Sequence, residues 1–502
     1  MSSLTLSPSQ WAASLPLIFP ALGACLIALM SLDKEQVTAK WIRAVMYGTA
    51  LLAVGAGFWY LTDLWMTGAQ PSFYQLHMDR LGQFAGIFIL VAAALTILQS
   101  WDHFHQEGWV KGESLSLLLF SVVGMMLFAS TSHFVTLFLG LELFSIPLYA
   151  LVGTVRARPE ASEGGMKYFL TGAVASSCFL MGGVLIYGMS GTLDLAAAAF
   201  TLKAQGLALD PVVLVGAALM LLGFLFKVSA VPFHQWTPDA YEAAPHPIAG
   251  FMSVATKGVA FFALLRIFAA SLAPLSAVGV KMQAVVAVLA IATLVLGNLT
   301  ALVQTNVKRM LAYSSISHAG YLLLGLVAGT PAAYEGMLFY LVIYLGMNMG
   351  AFGLLTAYGL VGDQTTFEDL RGLGWKRPVL GCSAAIFMLS LAGIPPMGGF
   401  YGKYFIFREL VATGHVGMAI LGVLASLVSV YYYLRLVVAL FLQAPSAEAE
   451  RMASDRPEVH APLAGATVLV AVAIVLAGGF LQSFLLDGFA RRAIVEGLGL
   501  VH

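Results

Sequence analysis

The chain has 502 residues, of which 60% are hydrophobic and only 10% charged, with 25 basic and 25 acidic side chains that cancel and a mean hydropathy of +0.89. No ordinary soluble domain carries so little charge, and a β-barrel would show short alternating strands with a weaker apolar signal. The composition predicts an all-α polytopic membrane protein.

Apolar runs of helix length predict about fourteen spans, centred near residues 21, 53, 91, 121, 142, 176, 221, 259, 292, 318, 347, 391, 428 and 475. The first, Trp11–Ser31, follows MSSLTLSPSQWAAS, which lacks a basic n-region, so it reads as a retained helix. The connections are short, the longest breaks being Ser190–Asp210, Gly362–Pro378 and Ala444–Ala461, and one membrane domain (1–502) is expected. Alternate loops divide the Lys and Arg residues unequally. Lys34, Lys40, Arg43, Lys111, Arg156, Arg158, Lys308, Arg309, Arg371, Lys376, Arg377, Arg451 and Arg456 fall in one set; Arg80, Lys203, Lys281, Arg408, Arg491 and Arg492 fall in the other. The richer set belongs on the cytoplasmic side, leaving both termini outside.

In the fifth span, Ser132–Gly153, Glu142 sits with about ten residues on either side, roughly 15 Å from each end. Lys167, Lys227, Lys257 and Lys403 occupy comparable apolar surroundings. An ionisable group at that depth costs from about 3 to more than 10 kcal/mol, so a series of them marks an ion or proton path. Glu142 and Lys227 suit each other as a pair, either a switch or a static ion pair that fixes helix register. Lys257, between Thr256 and Gly258, is too central to snorkel, whereas Lys167 is closer to a helix end. His234 follows Lys227 by seven residues and would share its face if the helix persisted. His318 lies among hydroxyls in LAYSSISHAGYLLLG, and each histidine reads as a relay group or a packing histidine. Arg266 and Arg435 read as helix-end snorkellers.

Two spans are interrupted, one by SAVPFHQWTPDAYEAAP (229–245) and the other by LAGIPPMGGFY (391–401). Proline removes a backbone donor and clashes with the preceding turn, and broken backbone at membrane depth is tolerated only in protein or beside a wet cavity. With Lys227 before one break and Lys403 after the other, the pattern suggests an inverted repeat, or else a pair of ordinary kinks. Cys25, Cys178 and Cys382 are isolated and read as small core hydrophobes. His103 and His105 in WDHFHQEG read as loop residues and not as metal ligands. No P-loop, dinucleotide fingerprint or C-x-x-C motif is present, so driving energy must come from a partner or a gradient.

Four stretches carry a family resemblance: EGGMKYFLTGAVASSCFLMGGVLIYGMSGTLDL (163–195), FKVSAVPFHQWTPDAYEAAPHPIAGFMSVATKGVAFFALLR (226–266), NVKRMLAYSSISHAGYLLLG (306–325) and GIPPMGGFYGKYFIF (393–407). With them the chain resembles the antiporter-like subunits of proton-pumping NADH:quinone oxidoreductase (complex I). The last two stretches are shared with multisubunit cation/proton antiporters. The first, AYEAAP and TTFEDLRGLGWKRP (365–378) are most similar to subunit N, the counterpart of mitochondrial subunit two; Ala243 stands where that group usually has glycine.

The resemblance implies two inverted five-helix repeats, helices four to eight (111–270) and nine to thirteen (280–443), flanked by helices one to three (1–110) and a C-terminal helix (462–502), with helices seven and twelve broken. It implies proton-transfer roles for Glu142, Lys227, Lys257, Lys403, Lys167, His234 and His318. No cofactor is expected on this chain, while NADH, FMN, iron–sulfur clusters and quinone belong to partner subunits. The expected partners are other membrane-arm subunits, including antiporter-like subunit M and small subunit K, and the lipid bilayer, with no nucleic acid. The expected location is a bacterial inner membrane. A stand-alone cation/proton antiporter subunit and an inert structural spacer remain as alternatives.

Overall fold

A computed structural model describes residues 7–32, 40–106, 112–155, 158–268, 276–360, 365–445 and 461–499. The chain is a multi-pass helical membrane protein. Numbered by span, the helices are α1 (Pro8–Met30), α2 (Lys40–Thr67), α3 (Arg80–Gln106), α4 (Gly112–Ala129), α5 (Phe134–Val152) and α6 (Pro159–Ser190). Next come α7 (Pro211–Val228, resuming at Trp236–Ala243), α8 (His246–Ile267), α9 (Ser276–Leu302), α10 (Val307–Ala328) and α11 (Pro331–Ala357). The last three are α12 (Pro378–Ala392, resuming at Gly398–Ala412), α13 (Val416–Leu442) and α14 (Pro462–Phe480). Thirteen described helices are long and apolar enough to cross a membrane by themselves. The fourteenth span, α12, is divided by its break into two pieces of 15 residues each. A small hairpin, Ser72–Phe73 with Leu76–His77, joins α2 to α3, and a short helix, Leu195–Ala204, occupies the long α6–α7 connection.

The two breaks have local causes. The first half of α7 ends at Val228, with Ser229 in left-handed backbone (φ 63°) and Ala230 N–H closing on the Leu225 carbonyl. The first half of α12 ends the same way at Gly393, φ 84°, before the Pro395–Pro396 pair that cannot continue a helix. A third irregularity, the π-turn Met252–Thr256 in α8, lies immediately before Lys257.

Burial separates centre from rim. The apolar window of α8 is wholly buried and those of α10 and α11 are 94% buried, whereas α1, α2, α6 and α13 bury only a third of theirs. The lysine-bearing α8 is thus the axis around which α3, α10 and α11 pack. Hydropathy alone hides this ranking, because rim and core helices are equally apolar in a bilayer. The cysteines illustrate the point: Cys25 and Cys382 are exposed and Cys178 half-buried, so they are rim residues and not core hydrophobes. His103 and His105 lie in the last turn of α3, not in a loop. Lys34, Lys111, Arg156, Arg451 and Arg456, which entered the loop charge balance, lie outside the described residues.

Arg266 does not snorkel. It is 6% exposed and grips Asp79 with two parallel bonds, Nη1–Oδ2 at 2.5 Å and Nη2–Oδ1 at 2.8 Å, while Nε donates to the Ala129 carbonyl. The pair pins the end of α8 to the start of α3 and the end of α4. Arg435 donates to the Leu302 and Gln304 carbonyls and lies over the Phe367 ring, capping the end of α9. Removing one member of a buried pair strands the other charge, at a cost of about 3–5 kcal/mol. Asp79→Ala is therefore expected to lower thermal stability sharply in a detergent-solubilised melting assay, and an unchanged transition would rule out a structural role for this pair.

Candidate functional site

The site is a line of buried charges on broken or distorted helices. Glu142 lies at the middle of α5, with Ser145 and Tyr149 three and seven residues on and therefore on the same face. Lys227, the penultimate residue of the first half of α7, is 2% exposed and donates to Ser145 Oγ at 2.7 Å and Tyr149 Oη at 3.5 Å. The rings of Phe144, Tyr149, Tyr168 and Phe226 surround its ammonium at 5.2–5.8 Å, a cage of quadrupoles that partly replaces water. Glu142 and Lys227 form no direct ion pair among the described residues. Glu142 Oε1 is buried without a hydrogen-bond partner there, and its charge acts on Lys227 through space. The expected pair is thus not a direct one.

Lys257 emerges just after the π-turn and donates to both the backbone carbonyl and the hydroxyl of Ser315 on α10. Tyr344 Oη of α11 also donates to Ser315 Oγ, at 2.8 Å. Tyr241, from the second half of α7, lies beside the same serine. Ser314, the preceding residue, is bonded to Tyr433 Oη of α13. Tyr433 Oη stands 3.0 Å from His318 Nε2, and His318 Nδ1 stands 2.5 Å from Tyr340 Oη. Both lysine charges, Lys257 and Lys403, act on this imidazole.

Lys403, 3% exposed, is on the second half of α12 and reaches back across the break. Its ammonium donates to the Leu391 and Ala392 carbonyls at 2.9 and 3.2 Å and to Ser426 Oγ at 2.9 Å. Those carbonyls end the first half of α12, where the helix dipole is negative, so the break itself supplies the counter-charge. The Tyr321 ring lies 4.6 Å from the ammonium, and Tyr321 is one turn beyond His318. A cavity of about 640 Å³ between α12 and α13 opens onto Lys403, with Arg408 also on its wall.

Two of the expected residues stand apart. His234 does not continue the Lys227 face: the helix stops at Val228, and His234 sits half-buried in the turn leading to Trp236. Lys167 is half-exposed and held by carboxylates on both sides, Glu163 at 2.7 Å and Asp239 at 2.8 Å. Asp239 is shared with Arg309 of α10, which also binds Glu242, so Lys167 belongs to an ionic cluster around the second half of α7. Ser145, Ser314, Ser315, Tyr340, Tyr344 and Tyr433 were not singled out by the sequence. Only the two serines beside His318 carried a signal there; the tyrosines reach the site from distant helices. Among the described residues no cluster of three or more His, Cys, Asp or Glu side chains could hold a metal.

The arrangement joins hydroxyls, imidazole and ammonium groups, which both give and take protons, through a buried core. The chain belongs to the NADH:quinone oxidoreductase/Mrp antiporter transmembrane family, whose model matches residues 130–429. Within that family it is 42% identical to the NADH-quinone oxidoreductase subunit N of Salinibacter ruber over 467 residues, 91% of each chain. Among solved structures it is similar to a chain of respiratory complex I from Thermus thermophilus, at 33% identity and TM-score 0.76, covering 95% of this chain and 99% of that one. A chain of the Mrp complex from Dietzia sp. shares the fold, with TM-score 0.81, 21% identity and 97% of each chain covered. The architecture is thus common to both branches of the family, and the sequence identity falls with subunit N.

Half-exposed surface ion pairs are worth about 0–1 kcal/mol. Lys167→Gln is accordingly expected to leave the thermal transition of the purified protein almost unmoved; a large drop would show that the ionic cluster holds α7 in place.

Proposed function

We propose that the chain is the proton-translocating membrane-arm subunit, subunit N, of an NADH:quinone oxidoreductase. It is a translocase subunit, driven by quinone reduction in partner subunits that hold NADH, FMN and iron–sulfur clusters. The observation that carries the reading is the series of buried lysines, each solvated by hydroxyls, carbonyls and rings, on helices broken or distorted beside them. A structural charge would be neutralised by a fixed carboxylate. Lys227, Lys257 and Lys403 have none within ion-pair distance among the described residues, so small changes in hydration or in the field of Glu142 can move a proton.

The path runs from Lys227 toward Lys257, then through Ser315, Ser314, Tyr433 and His318 to Lys403. Loss of the Glu142 field weakens the hold of Lys227 on its proton and sends charge along the line. His234 at the α7 break and Lys167 at the α6 edge serve as peripheral proton-transfer groups. Spans four to eight and nine to thirteen act as two inverted half-channels. The neighbours are antiporter-like subunit M and small subunit K in a bacterial inner membrane, with the basic loops in the cytoplasm and both termini outside.

Native purification followed by mass identification tests the assembly. Co-purification with quinone-site and iron–sulfur subunits is expected, whereas a complex of antiporter-type subunits alone would reassign the energy source to an ion gradient. Glu142→Ala is expected to lower coupled proton pumping with assembly retained, and normal pumping by that variant would overturn the relay. Tyr433→Phe, which removes the hydroxyl between Ser314 and His318, should slow pumping by about ten-fold or more; wild-type rates in reconstituted vesicles would exclude Tyr433 from the path.

A further inference from the structure

The short helix of the α6–α7 connection, Leu195–Ala204, does not close fully on the bundle. Its buried stripe is Leu195, Ala198, Ala199 and Leu202, spaced at i, i+3, i+4 and i+7 and therefore one face of the helix. The two alanines at the centre of that stripe are short side chains that leave room beneath them. A partly open cavity of about 80 Å³ lies there, between the stripe, the first half of α7, the end of α8 and the start of α9. Protein interiors hold few voids larger than a water molecule, and this one is several times the roughly 10–15 Å³ that one water needs.

Water does not suit this space. Every residue on its wall is apolar, and an apolar cavity stays dry and takes apolar guests. Along α7 the wall runs from Val213 to Phe224, eleven residues or about 16 Å, close to half of a hydrocarbon core about 30 Å thick. The cavity is thus about one leaflet deep, and it is narrow. Leu264 and Phe268 of α8 close its far side, flanking the Arg266 that Asp79 holds. Lys203, next to Leu202 in the last turn of the short helix, is exposed and has no ion-pair partner among the described residues. The two carboxylates of the connection are already engaged: Asp194 accepts from Ala197 N–H and Asp210 from Val212 N–H, both at 2.8 Å. Phe200, 73% exposed and three residues before Lys203, shares its side of the helix, an aromatic and basic pairing that suits a membrane interface.

We propose that this cavity is a lipid site, which takes one acyl chain of an anionic phospholipid whose phosphate is bound by Lys203. The chain enters beside the short helix and lies along α7, its methylenes against Ala198, Ala199 and Ala217. The apolar wall selects the chain, its depth matches one leaflet, and the unpaired ammonium selects the headgroup. Phe224, the deepest wall residue on α7, packs on the rings of Phe128 and Phe179 at 5.7 and 5.4 Å and lies three residues before Lys227. The bound chain therefore braces the half of α7 that ends at Lys227. The site is independent of the relay, because a lipid is held here whatever drives the complex.

The test uses the whole complex in vesicles of phosphatidylcholine and phosphatidylglycerol. Trace phosphatidylglycerol carrying a diazirine midway along one acyl chain is added, the sample is illuminated, and labelled peptides are identified by mass. Label is expected on the α7 and α8 walls, at Phe224 and Leu264 among others. Ala217→Leu and, from the opposite wall, Ala198→Leu fill the cavity with apolar volume, and each should cut that label about ten-fold. Lys203→Gln should cut labelling by this probe about five-fold and leave labelling by the matching phosphatidylcholine probe unchanged. Label absent from the walls, or untouched by both alanine variants, would overturn the site. A neighbouring subunit seated in the cavity would exclude the label from the assembled complex and overturn it as well. Equal labelling of the wild type by the two probes would overturn the role given to Lys203. If Ala217→Leu disturbs α7 and fails to assemble, Ala198→Leu decides the matter, since it lies on the connecting helix and not on a span.

Discussion

An ammonium group taken out of water must be solvated by something, and the fold is arranged around three answers to that demand. Lys227 is held by a serine, a tyrosine and a cage of rings; Lys257 by one serine through both its oxygens; Lys403 by the terminal carbonyls of a broken helix. None is a fixed carboxylate. Each answer is good enough to keep the lysine in place and poor enough to leave its protonation responsive, since neutral dipoles stabilise a charge less than an ion pair does. The break in α12 meets the same demand, because it frees the Leu391 and Ala392 carbonyls to solvate Lys403.

Arg266, another buried cation, follows the opposite rule, and the contrast separates structure from chemistry. Arg266 is as buried as the lysines but has two oxygens of Asp79 in bidentate geometry, which locks both charge and position. Arginine cannot release its proton in a protein, so a guanidinium serves only as a fixed charge. Lys167, with two carboxylates and solvent nearby, lies between these cases: paired but half-exposed, and weakly worth its bonds.

Much of this was legible in the sequence because a membrane makes charge conspicuous. Glu142, Lys227, Lys257 and Lys403 stand out from apolar runs, and the Pro-rich breaks beside two of the lysines are readable from covalent chemistry alone. What the sequence hid was anything set by the rotation of a helix or by partners far along the chain. The bilayer erases the difference between inward and outward apolar faces, so Cys25 and Cys382 looked like core residues and are on the rim. Arg266 looked like a snorkeller because its partner, Asp79, is 187 residues earlier. His234 seemed to continue the Lys227 face, but the left-handed turn at Ser229 ends the helical periodicity on which that inference depends.

Tyrosine shows the same limit from the other side. Tyr340, Tyr344 and Tyr433 are unremarkable in sequence, since aromatic residues are common in membrane helices and most of them only pack. Their hydroxyls matter because α11 and α13 deliver them to the one stretch of α10 that carries Ser314, Ser315 and His318 within two turns. Helix α10 is therefore where these contacts converge: its start binds the carbonyls and carboxylates of the resumed α7 through Lys308 and Arg309, and its middle holds Lys257 and carries His318. A shift of α7 large enough to alter Lys227 cannot leave α10 untouched. The proposed relay and the ionic tie to the resumed α7 thus share a single helix, buried over 94% of its apolar window.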